Sequence, residues 1–265
     1  MRRVHLFEFH DLSWFPHTWR KMLTDVLSFF TLTFRPFSQA VPKLKDALER
    51  LDCRTVVDLC SGSSGPLLQI QKQLEEKEAY PVRVILTDRF PNMDAFRRAA
   101  LLSNGKISFV QTPVDATNVP ASLNGFRTLF VAFHHFRPPL AKQILQDAVS
   151  KKEGIGVFEY TERSLDWVVP SLLTPLLVWI ITPFLRPLTF SRVLWTYVLP
   201  VIPLVVFWDG IVSNFRTYSV EELKQLTLEI QDNGYSWEIG KIPSGQCQMT
   251  YLLGYPMKPS CGKDR

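Results

Sequence analysis

Between residue 51 and about residue 160, short apolar runs alternate with stretches in which apolar residues recur every three or four positions. The runs read RTVVDLC, VRVILTD, ISFVQ, FRTLFVAFHHF and GIGVFEY. A spacing of three or four predicts amphipathic helices, and strands that alternate with such helices indicate βαβ units. Strands that are apolar throughout are typical of a parallel sheet covered by helices on both faces. We therefore expect an α/β fold with a mostly parallel sheet.

The flanks of this region have other patterns. Residues 1–50 read as an aromatic-rich arm followed by amphipathic helices, for example AVPKLKDALERL. Near the other end, Ser219 and Glu222 have the spacing of a capping box at the start of a helix. The strands YSWEIGKIP and QMTYLLGYP follow, and a turn containing Ser244 and Gly245 makes them an antiparallel hairpin. The chain is thus divided into a cap (1–50), a core (51–163), an insert (164–216) and the C-terminal part of the core (217–265).

The insert contains two uncharged runs, Trp167–Leu185 and Val193–Trp208, joined by a short basic link. A membrane-spanning helix needs about 20 apolar residues, so the first run just qualifies and the second is shorter. Both contain interior prolines, which kink helices. We expect a hairpin that lies in, or dips into, one membrane leaflet. Its interfacial anchors would be tryptophans, namely Trp167, Trp179, Trp195 and Trp208. The alternatives are a buried helical subdomain or a dimer interface.

Charge and cysteine content narrow the function classes. The net charge of +5 suits an anionic membrane surface or ligand, but lysines and arginines form no run, so we do not expect nucleic acid binding. The four cysteines form no CxxC pair and no histidine lies at metal-ligand spacing from them, so no metal site is predicted. Free thiols in a reducing compartment and no signal peptide are expected. These features place the protein on the cytoplasmic side of a membrane.

The stretch VVDLCSGSSGP connects a strand to a helix through small residues. Gly62 and Gly65 allow close approach to the backbone, and a helix N-terminus offers free N–H groups. Asp88 ends the next strand, where an acid can accept both hydroxyls of a ribose. Asp115 and Ala116 lie just beyond the third strand, where an acid can bond an adenine amino group. Ligands of open parallel sheets bind at these carboxyl ends.

In this order the residues resemble the class I S-adenosyl-L-methionine (SAM)-dependent methyltransferases. VVDLCSGSSGP is similar to their glycine-rich first motif, with Cys60 and Ser64 at its first and third glycines. LTD resembles their ribose-binding acid and VDAT their adenine-contacting acid. The final hairpin resembles their antiparallel sixth and seventh strands, with the seventh between the fifth and sixth. The resemblance implies a seven-stranded Rossmann-like sheet and SAM as cofactor. Its implied cofactor-binding residues are Asp58, Cys60, Ser61, Gly62, Asp88, Asp115, Ala116 and Phe133.

Candidate catalytic residues follow the fourth strand, beside the position of the transferable methyl group in this fold. His134 or His135 is predicted as a general base, because an imidazole titrates near neutral pH. Alternatively, one histidine faces the core edge and the other caps the next helix. Glu159 and Tyr160 are second-tier candidates, and Glu159 is also compatible with a solvated strand end.

Two polar segments have open roles. Asp209 and Arg216, after the second apolar run, are predicted to pair as a structural latch or to line a substrate mouth. The N-terminal arm, FEFHDLSWFPHTW, is predicted either to fold over the cofactor as a lid or to pack against the sheet.

The expected function is methyl transfer from SAM to a hydrophobic small molecule drawn from a membrane, such as a lipid, isoprenoid or quinone-like compound. One alternative is a non-catalytic membrane-associated scaffold that keeps this fold. Another is a nicotinamide-dependent oxidoreductase, because Cys60, Gly62 and Gly65 have the GxGxxG spacing. A plain strand–helix turn at CSGSSG also remains open.

Overall fold

The computed structural model describes residues 1–230, 234–244 and 247–257. The chain forms two compact units. The helical unit comprises Met1–Thr33 and Thr161–Tyr218, and the sheet unit comprises Phe34–Tyr160 and Ser219–Arg265. Both units are therefore assembled from segments that are distant in sequence.

The sheet unit is built on a seven-stranded sheet with the order β3-β2-β1-β4-β5-β7-β6. Its strands are β1 (Thr55–Asp58), β2 (Arg83–Leu86), β3 (Ile107–Phe109), β4 (Phe126–Phe130), β5 (Ile155–Glu159), β6 (Tyr235–Ser244) and β7 (Cys247–Pro256). The first five pair in parallel, whereas β7 is antiparallel to both β5 and β6. The predicted sheet is confirmed, including the place of the last strand between the fifth and sixth. The predicted turn containing Ser244 and Gly245 includes residues 245–246, which lie outside the described residues.

Helices cover this sheet. They are α2 (Val41–Arg50), α3 (Gly65–Glu76), α4 (Met93–Leu102), α5 (Pro138–Lys151) and α10 (Val220–Leu228). The capping box at α10 is confirmed: the Ser219 N–H donates to Glu222 Oε2 (2.8 Å) and the Glu222 N–H donates to Ser219 Oγ (3.2 Å). After α4, Asn104 and Gly105 have φ values of 52° and 81°, the left-handed backbone that a helix C-cap favours. Local sequence signals thus set these helix ends.

The apolar core of the sheet unit explains why its strands need no polar alternation. Every residue of β4 and β5 is buried, as a strand in the middle of a doubly covered sheet should be. Phe130 and Phe158 stack with ring centroids 5.1 Å apart, and Phe37 packs on Phe130 at 5.0 Å. This rigid centre holds the carboxyl ends of β1, β4 and β5, where polar side chains gather.

The helical unit contains α1 (His17–Phe34), α6 (Leu165–Ser171), α7 (Thr174–Ile181), α8 (Phe190–Val193) and α9 (Val201–Arg216). A π-helical segment, Leu194–Val198, joins α8 to the loop before α9. Residues of α1, α7 and α9 share one apolar core that includes Val26, Val178 and Val205. Two of the predicted anchor tryptophans serve this packing: Trp195 contacts Trp19, and the Trp208 Nε1–H donates to the carbonyl of Phe7 (2.9 Å).

The N-terminal arm is held by α9. Both carboxylate oxygens of Asp209 accept backbone N–H groups of the arm, from Phe9 (2.8 Å) and His10 (3.1 Å). The Arg216 Nη1 pairs with Asp11 (2.5 Å), and the Arg216 Nε–H donates to a carbonyl of the arm. A latch is present, in which Asp209 and Arg216 each bond the N-terminal arm.

Two further predictions can be compared with the described residues. By itself, no helix among them is long and apolar enough to cross a membrane, whereas two bent pairs pass a test of length and composition. These pairs are Leu165–Ser171 with Thr174–Phe184, bent by 50°, and Phe190–Val198 with Val201–Arg216, bent by 69°. Cys60 is a free thiol, but Cys53 is disulfide-bonded, so the expectation of free thiols is wrong for Cys53.

Candidate cofactor and catalytic site

The turn after β1 has an unusual backbone. Cys60, Gly62 and Ser64 have φ values of 60°, 53° and 59°, so alternate residues are left-handed. Left-handed backbone is free of strain at glycine but costs roughly 1–2 kcal/mol at other residues. At Gly62 a Cβ would meet no atom within 4 Å, so the backbone there borders open space. The three positions of the glycines in the resembling motif thus have left-handed backbone here, which Cys60 and Ser64 adopt without being glycine.

Asp58 lies at the carboxyl end of β1 and is almost completely buried. Register places it opposite Thr128 of β4, whose hydroxyl donates to Asp58 Oδ1 (2.7 Å). Burial raises the pKa of Asp58 from 3.8 to about 7, although the hydroxyls of Thr128 and Ser61 act in the opposite direction. A buried carboxyl group poised near neutrality is suited to meet a cationic ligand group.

Ser61 and Thr87 fix the position of Asp58. The Ser61 hydroxyl donates to the Asp58 carbonyl (3.0 Å), and the Thr87 hydroxyl donates to the same oxygen (2.8 Å). The Ser61 Oγ also accepts the Thr87 N–H (3.1 Å). Ser61, predicted as a cofactor ligand from the resemblance, therefore uses its side chain to join the ends of β1 and β2.

Asp88 follows β2 and contacts the first motif directly. Its Oδ2 accepts the Gly62 N–H (2.8 Å) and its Oδ1 accepts the Phe90 N–H (2.7 Å). An ionised carboxylate offers about four acceptor positions, so two remain for hydroxyl groups of a ligand. The geometry fits the role of a ribose-binding acid.

Asp115 and Ala116 are carried to the same edge by backbone pairing, because the N–H of Val114 donates to the Asp88 carbonyl (2.9 Å). Asp115 is exposed, and its Oδ1 accepts both the hydroxyl (2.7 Å) and the N–H (2.9 Å) of Thr117. These bonds, the hydroxyl first, lower the pKa of Asp115, so it stays ionised. Ala116 is buried beside it.

The negative charges of the three acids act on the thiol of Cys60. Burial raises its pKa well above the ordinary value, and the negative charges of Asp88, Asp58 and Asp115 raise it further. Charges act in this way only over short distances. The predicted acids lie 30 and 27 residues apart in sequence, and backbone bonds bring them to one edge of the sheet. The Thr87 N–H donates to the Asp58 carbonyl (2.9 Å), and the Val114 N–H donates to the Asp88 carbonyl (2.9 Å).

The histidines after β4 lie in the 3-10 turn Phe133–His135. His134 is buried, and its Nδ1 lies 2.9 Å from Glu159 Oε2 at the end of β5. Glu159 Oε1 accepts the N–H groups of Phe133 (2.8 Å) and His134 (3.2 Å). Burial would raise the pKa of Glu159, but the charge of His134 and its hydrogen bonds outweigh burial and lower it. Glu159 is therefore no solvated strand end: it is an ionised partner of His134.

His135 is half-buried, and its ring lies 4.4 Å from that of His134 between centroids. The N-cap of α5 is Arg137, so His135 does not occupy the predicted capping position. The Phe133 side chain is fully buried in the sheet unit. The two histidines therefore differ: His134 is held by a carboxylate, and His135 has the greater access to solvent.

Sequence reasoning missed Thr128 and Thr87 and gave Glu159 too little weight. No local motif marks these residues, since each acts through a neighbouring strand. Thr128 meets Asp58 only because β4 pairs with β1, and Glu159 meets His134 only because β5 pairs with β4. The sole sequence signal was the position of Thr87 and Glu159 at or just after the carboxyl end of a strand, whereas Thr128 lies in the middle of β4.

Comparison with known proteins gives no match to a family model and none to a curated sequence. Solved structures do match. Mitomycin 7-O-methyltransferase aligns with a TM-score of 0.56 and 14% identity over 94% of this chain and 61% of its own. Plantazolicin methyltransferase, solved with S-adenosylhomocysteine (SAH), aligns with a TM-score of 0.53 and 12% identity over 90% of this chain and 95% of its own.

A Rhodobacter sphaeroides protein described as a zinc-dependent alcohol dehydrogenase matches equally well, with a TM-score of 0.53 and 13% identity over 90% of this chain and 98% of its own. This chain spans about three fifths of the length of the first O-methyltransferase structures that it matches. At such identities a likeness establishes architecture and not chemistry. With the strand order and the three converging acids, it shows that the chain has the Rossmann-like fold of the class I SAM-dependent methyltransferases.

Proposed function

We propose that this protein is a SAM-dependent methyltransferase that acts on a hydrophobic small molecule. One observation carries the proposal: hydrogen bonds bring Asp58 at the end of β1, Asp88 after β2 and Asp115 after β3 to one edge of the sheet. Each acid has the surroundings that its proposed partner requires. A plain strand–helix turn would not need three carboxylates at such short range, because their mutual repulsion is unfavourable.

Each site residue would contact a different group of a bound SAM molecule. Asp58, buried and near neutrality, would pair with the methionine ammonium group, whose positive charge would favour ionisation of the carboxyl. Asp88 would accept the ribose hydroxyls with its remaining lone pairs. Asp115 and Ala116 would border the adenine, and the open space at Gly62 would admit the ligand beside the backbone. When bound, SAM supplies an electrophilic methyl group on a sulfonium.

The protein's own contribution to the chemistry would be proton removal. Glu159 holds Nδ1 of His134, so Nε2 would be the atom that takes a proton from the acceptor group. The N–H groups of Phe133 and His134 donate to Glu159, so the carboxylate would fix the backbone that carries the imidazole as well as the ring itself. His135 is the second candidate for the same role, or for contact with the acceptor.

The hydrophobic acceptor is inferred from the helical unit. Residues 167–208 contain two arginines and no acid or lysine, and many of their large apolar side chains are exposed. We propose that this unit associates with the cytoplasmic face of a membrane and that the acceptor is drawn from the bilayer. A lipid, isoprenoid or quinone-like compound has the matching chemistry.

Calorimetric titration of the full chain with SAM and SAH tests the cofactor. We expect binding that Asp88→Ala abolishes and that Asp46→Asn, a change of an exposed acid on α2, leaves intact. If the wild type binds neither compound at high micromolar concentration, the protein is a scaffold that keeps the fold. Binding of NADH in their place would favour an oxidoreductase.

A second experiment identifies the acceptor. The wild type is incubated with methyl-labelled SAM and a lipid extract, and the products are separated by polarity. We expect label in the organic phase, and loss of that label with a His134→Gln variant that still binds SAM. Label that enters only water-soluble products would refute the hydrophobic acceptor.

A further inference from the structure

Exposed apolar side chains are concentrated in the helical unit. Among the described residues 28 large hydrophobic side chains are exposed, and 21 of them belong to this unit, which holds about a third of the chain. They include Phe184 (68% exposed) and Phe190 (82% exposed), on either side of the link between the two bent pairs. Large exposed apolar areas on a soluble protein mark interaction sites, so this concentration of exposed side chains points to a partner.

Several backbone carbonyls of the bent pairs lie four residues before a proline, and those of Trp179 and Thr196 are two of them. In an α-helix a carbonyl accepts from the N–H four residues later. The residue four positions after Trp179 is Pro183, and the residue four positions after Thr196 is Pro200. Proline has no N–H, so neither carbonyl can form that bond. In water such groups would be hydrated.

Here the two carbonyls are satisfied reciprocally by aromatic side chains. The Tyr197 hydroxyl donates to the carbonyl of Trp179 (2.7 Å), and the Trp179 Nε1–H donates to the carbonyl of Thr196 (2.9 Å). We name these two bonds the Trp179–Tyr197 clamp. It joins the first bent pair to the second, because Trp179 lies in α7 and Tyr197 in the segment before α9.

The orientation of the clamp identifies the partner. Trp179 and Tyr197 are 41% and 44% exposed, yet their polar atoms donate to backbone carbonyls. At an aqueous surface or at a polar interface rim, an indole N–H or a phenol is free to bond water. Exposed aromatic side chains whose polar atoms are bonded to the protein suit hydrocarbon, since no solvent there can satisfy the polar groups.

Charge supports the same partner. Between residues 167 and 208 the charged residues are Arg186 and Arg192. Arg192 is buried and pairs with Asp25 of α1, whereas Arg186 is exposed in the link. The rim of a protein interface is polar. One exposed arginine beside exposed apolar side chains suits anionic lipid headgroups better.

We propose that the two bent pairs, joined by the Trp179–Tyr197 clamp, form one membrane anchor that inserts into a single leaflet with Phe184 and Phe190 buried in lipid. No single helix of the pairs is long enough to cross: α9, with 16 residues, would span about 24 Å against a hydrocarbon core of about 30 Å. The bends of 50° and 69° prevent either pair from acting as one straight helix. This inference rests on the membrane association within the proposed function and specifies the residues that carry it.

Flotation of the full-length chain with vesicles of phosphatidylcholine and phosphatidylglycerol tests the anchor. The wild type is expected to float. The double variant Phe184→Ser/Phe190→Ser should bind more than tenfold more weakly, because two large apolar side chains no longer enter lipid. The matched control is Leu101→Ser, which changes an 80% exposed side chain of the sheet unit and should bind as the wild type does.

The clamp has its own signature. Tyr197→Phe keeps the ring and removes the donor, so vesicle binding should weaken roughly fivefold because the Trp179 carbonyl would enter lipid unsatisfied. Without vesicles, water can hydrate that carbonyl, and the melting temperature should stay close to that of the wild type. Equal vesicle binding by Tyr197→Phe and the wild type would refute the clamp.

Failure of the anchor and failure of the proposed function are distinguishable. A wild type that titrates SAM but does not float, or a double variant that floats normally, overturns the anchor and leaves the methyltransferase proposal intact. A wild type that floats without binding SAM supports the anchor and overturns the proposal. A lipid-free oligomer that persists with vesicles and prevents flotation would assign the surface to a second copy of the chain, and so also overturns the anchor.

Discussion

The pKa of Asp58 leads to a prediction about both stability and ligand binding. Burial raises this pKa from 3.8 to about 7, a shift of about three units, and one unit corresponds to about 1.4 kcal/mol. A folded state that holds a proton more tightly than the unfolded chain loses stability as the pH rises between the two pKa values. Above pH 7 the wild type therefore contains a buried charge that costs up to about 4 kcal/mol.

Replacing Asp58 by Asn removes this charge and keeps an oxygen that can accept the Thr128 hydroxyl. We expect the ligand-free Asp58→Asn variant to unfold with a free energy up to about 4 kcal/mol above that of the wild type at pH values above 7. Near pH 3.8 the difference should vanish, since the carboxyl is then protonated in the folded protein. Urea unfolding at a series of pH values measures both limits.

The same variant should lose affinity for SAM, because the ammonium group of the ligand would have no negative partner. In the wild type the affinity for SAM should rise with pH as Asp58 ionises, through about pH 7, and this dependence should be absent in Asp58→Asn. The exposed-acid variant Asp46→Asn serves as control for both measurements. An Asp58→Asn protein that is no more stable above pH 7, or that binds SAM as tightly as the wild type, would refute this reasoning.

Three further predictions follow from single contacts. Cys60→Gly should raise the unfolding free energy, measured by urea unfolding, by about 1 kcal/mol, because glycine relieves the strain of left-handed backbone. Ser63→Gly is the control: this residue has no positive φ, so the substitution should lower the unfolding free energy. Asp209→Ala removes two acceptors of the N-terminal arm, so limited proteolysis should cut the arm faster than in the wild type or in an exposed-acid Asp166→Ala control; equal rates would contradict the latch. Glu159→Gln should lower kcat about 10²-fold with little change in the KM for SAM, because the carboxylate no longer holds the His134 ring; an unchanged kcat would contradict this positioning role.

The sheet could be predicted from sequence because its signals are local. Apolar runs mark β4 and β5 as buried strands, and the capping box at Ser219 marks the start of α10. Even the left-handed backbone at Gly62 is implied by the run of small residues. Such features depend on backbone sterics and on burial within a few residues, so they can be deduced without knowing the fold.

The candidate site was predicted in part. Asp58, Asp88 and Asp115 could be assigned to one edge because the carboxyl ends of parallel strands meet there. The hydrogen-bond partner of Asp58 could not be predicted from sequence, since Thr128 lies 70 residues away and meets Asp58 only through strand register. The sequence likewise left Glu159 as a possible solvated residue, whereas pairing of β4 with β5 makes it a buried partner of His134.

The helical unit shows the same division. The sequence by itself determined that residues 167–208 are apolar, interrupted by proline and almost without charge. Only the tertiary structure decided that Trp179 and Tyr197 satisfy the carbonyls that Pro183 and Pro200 leave without donors. Composition and periodicity follow from the residues in order, but hydrogen bonds between distant segments, and the pKa values that burial sets, depend on which groups the fold brings together.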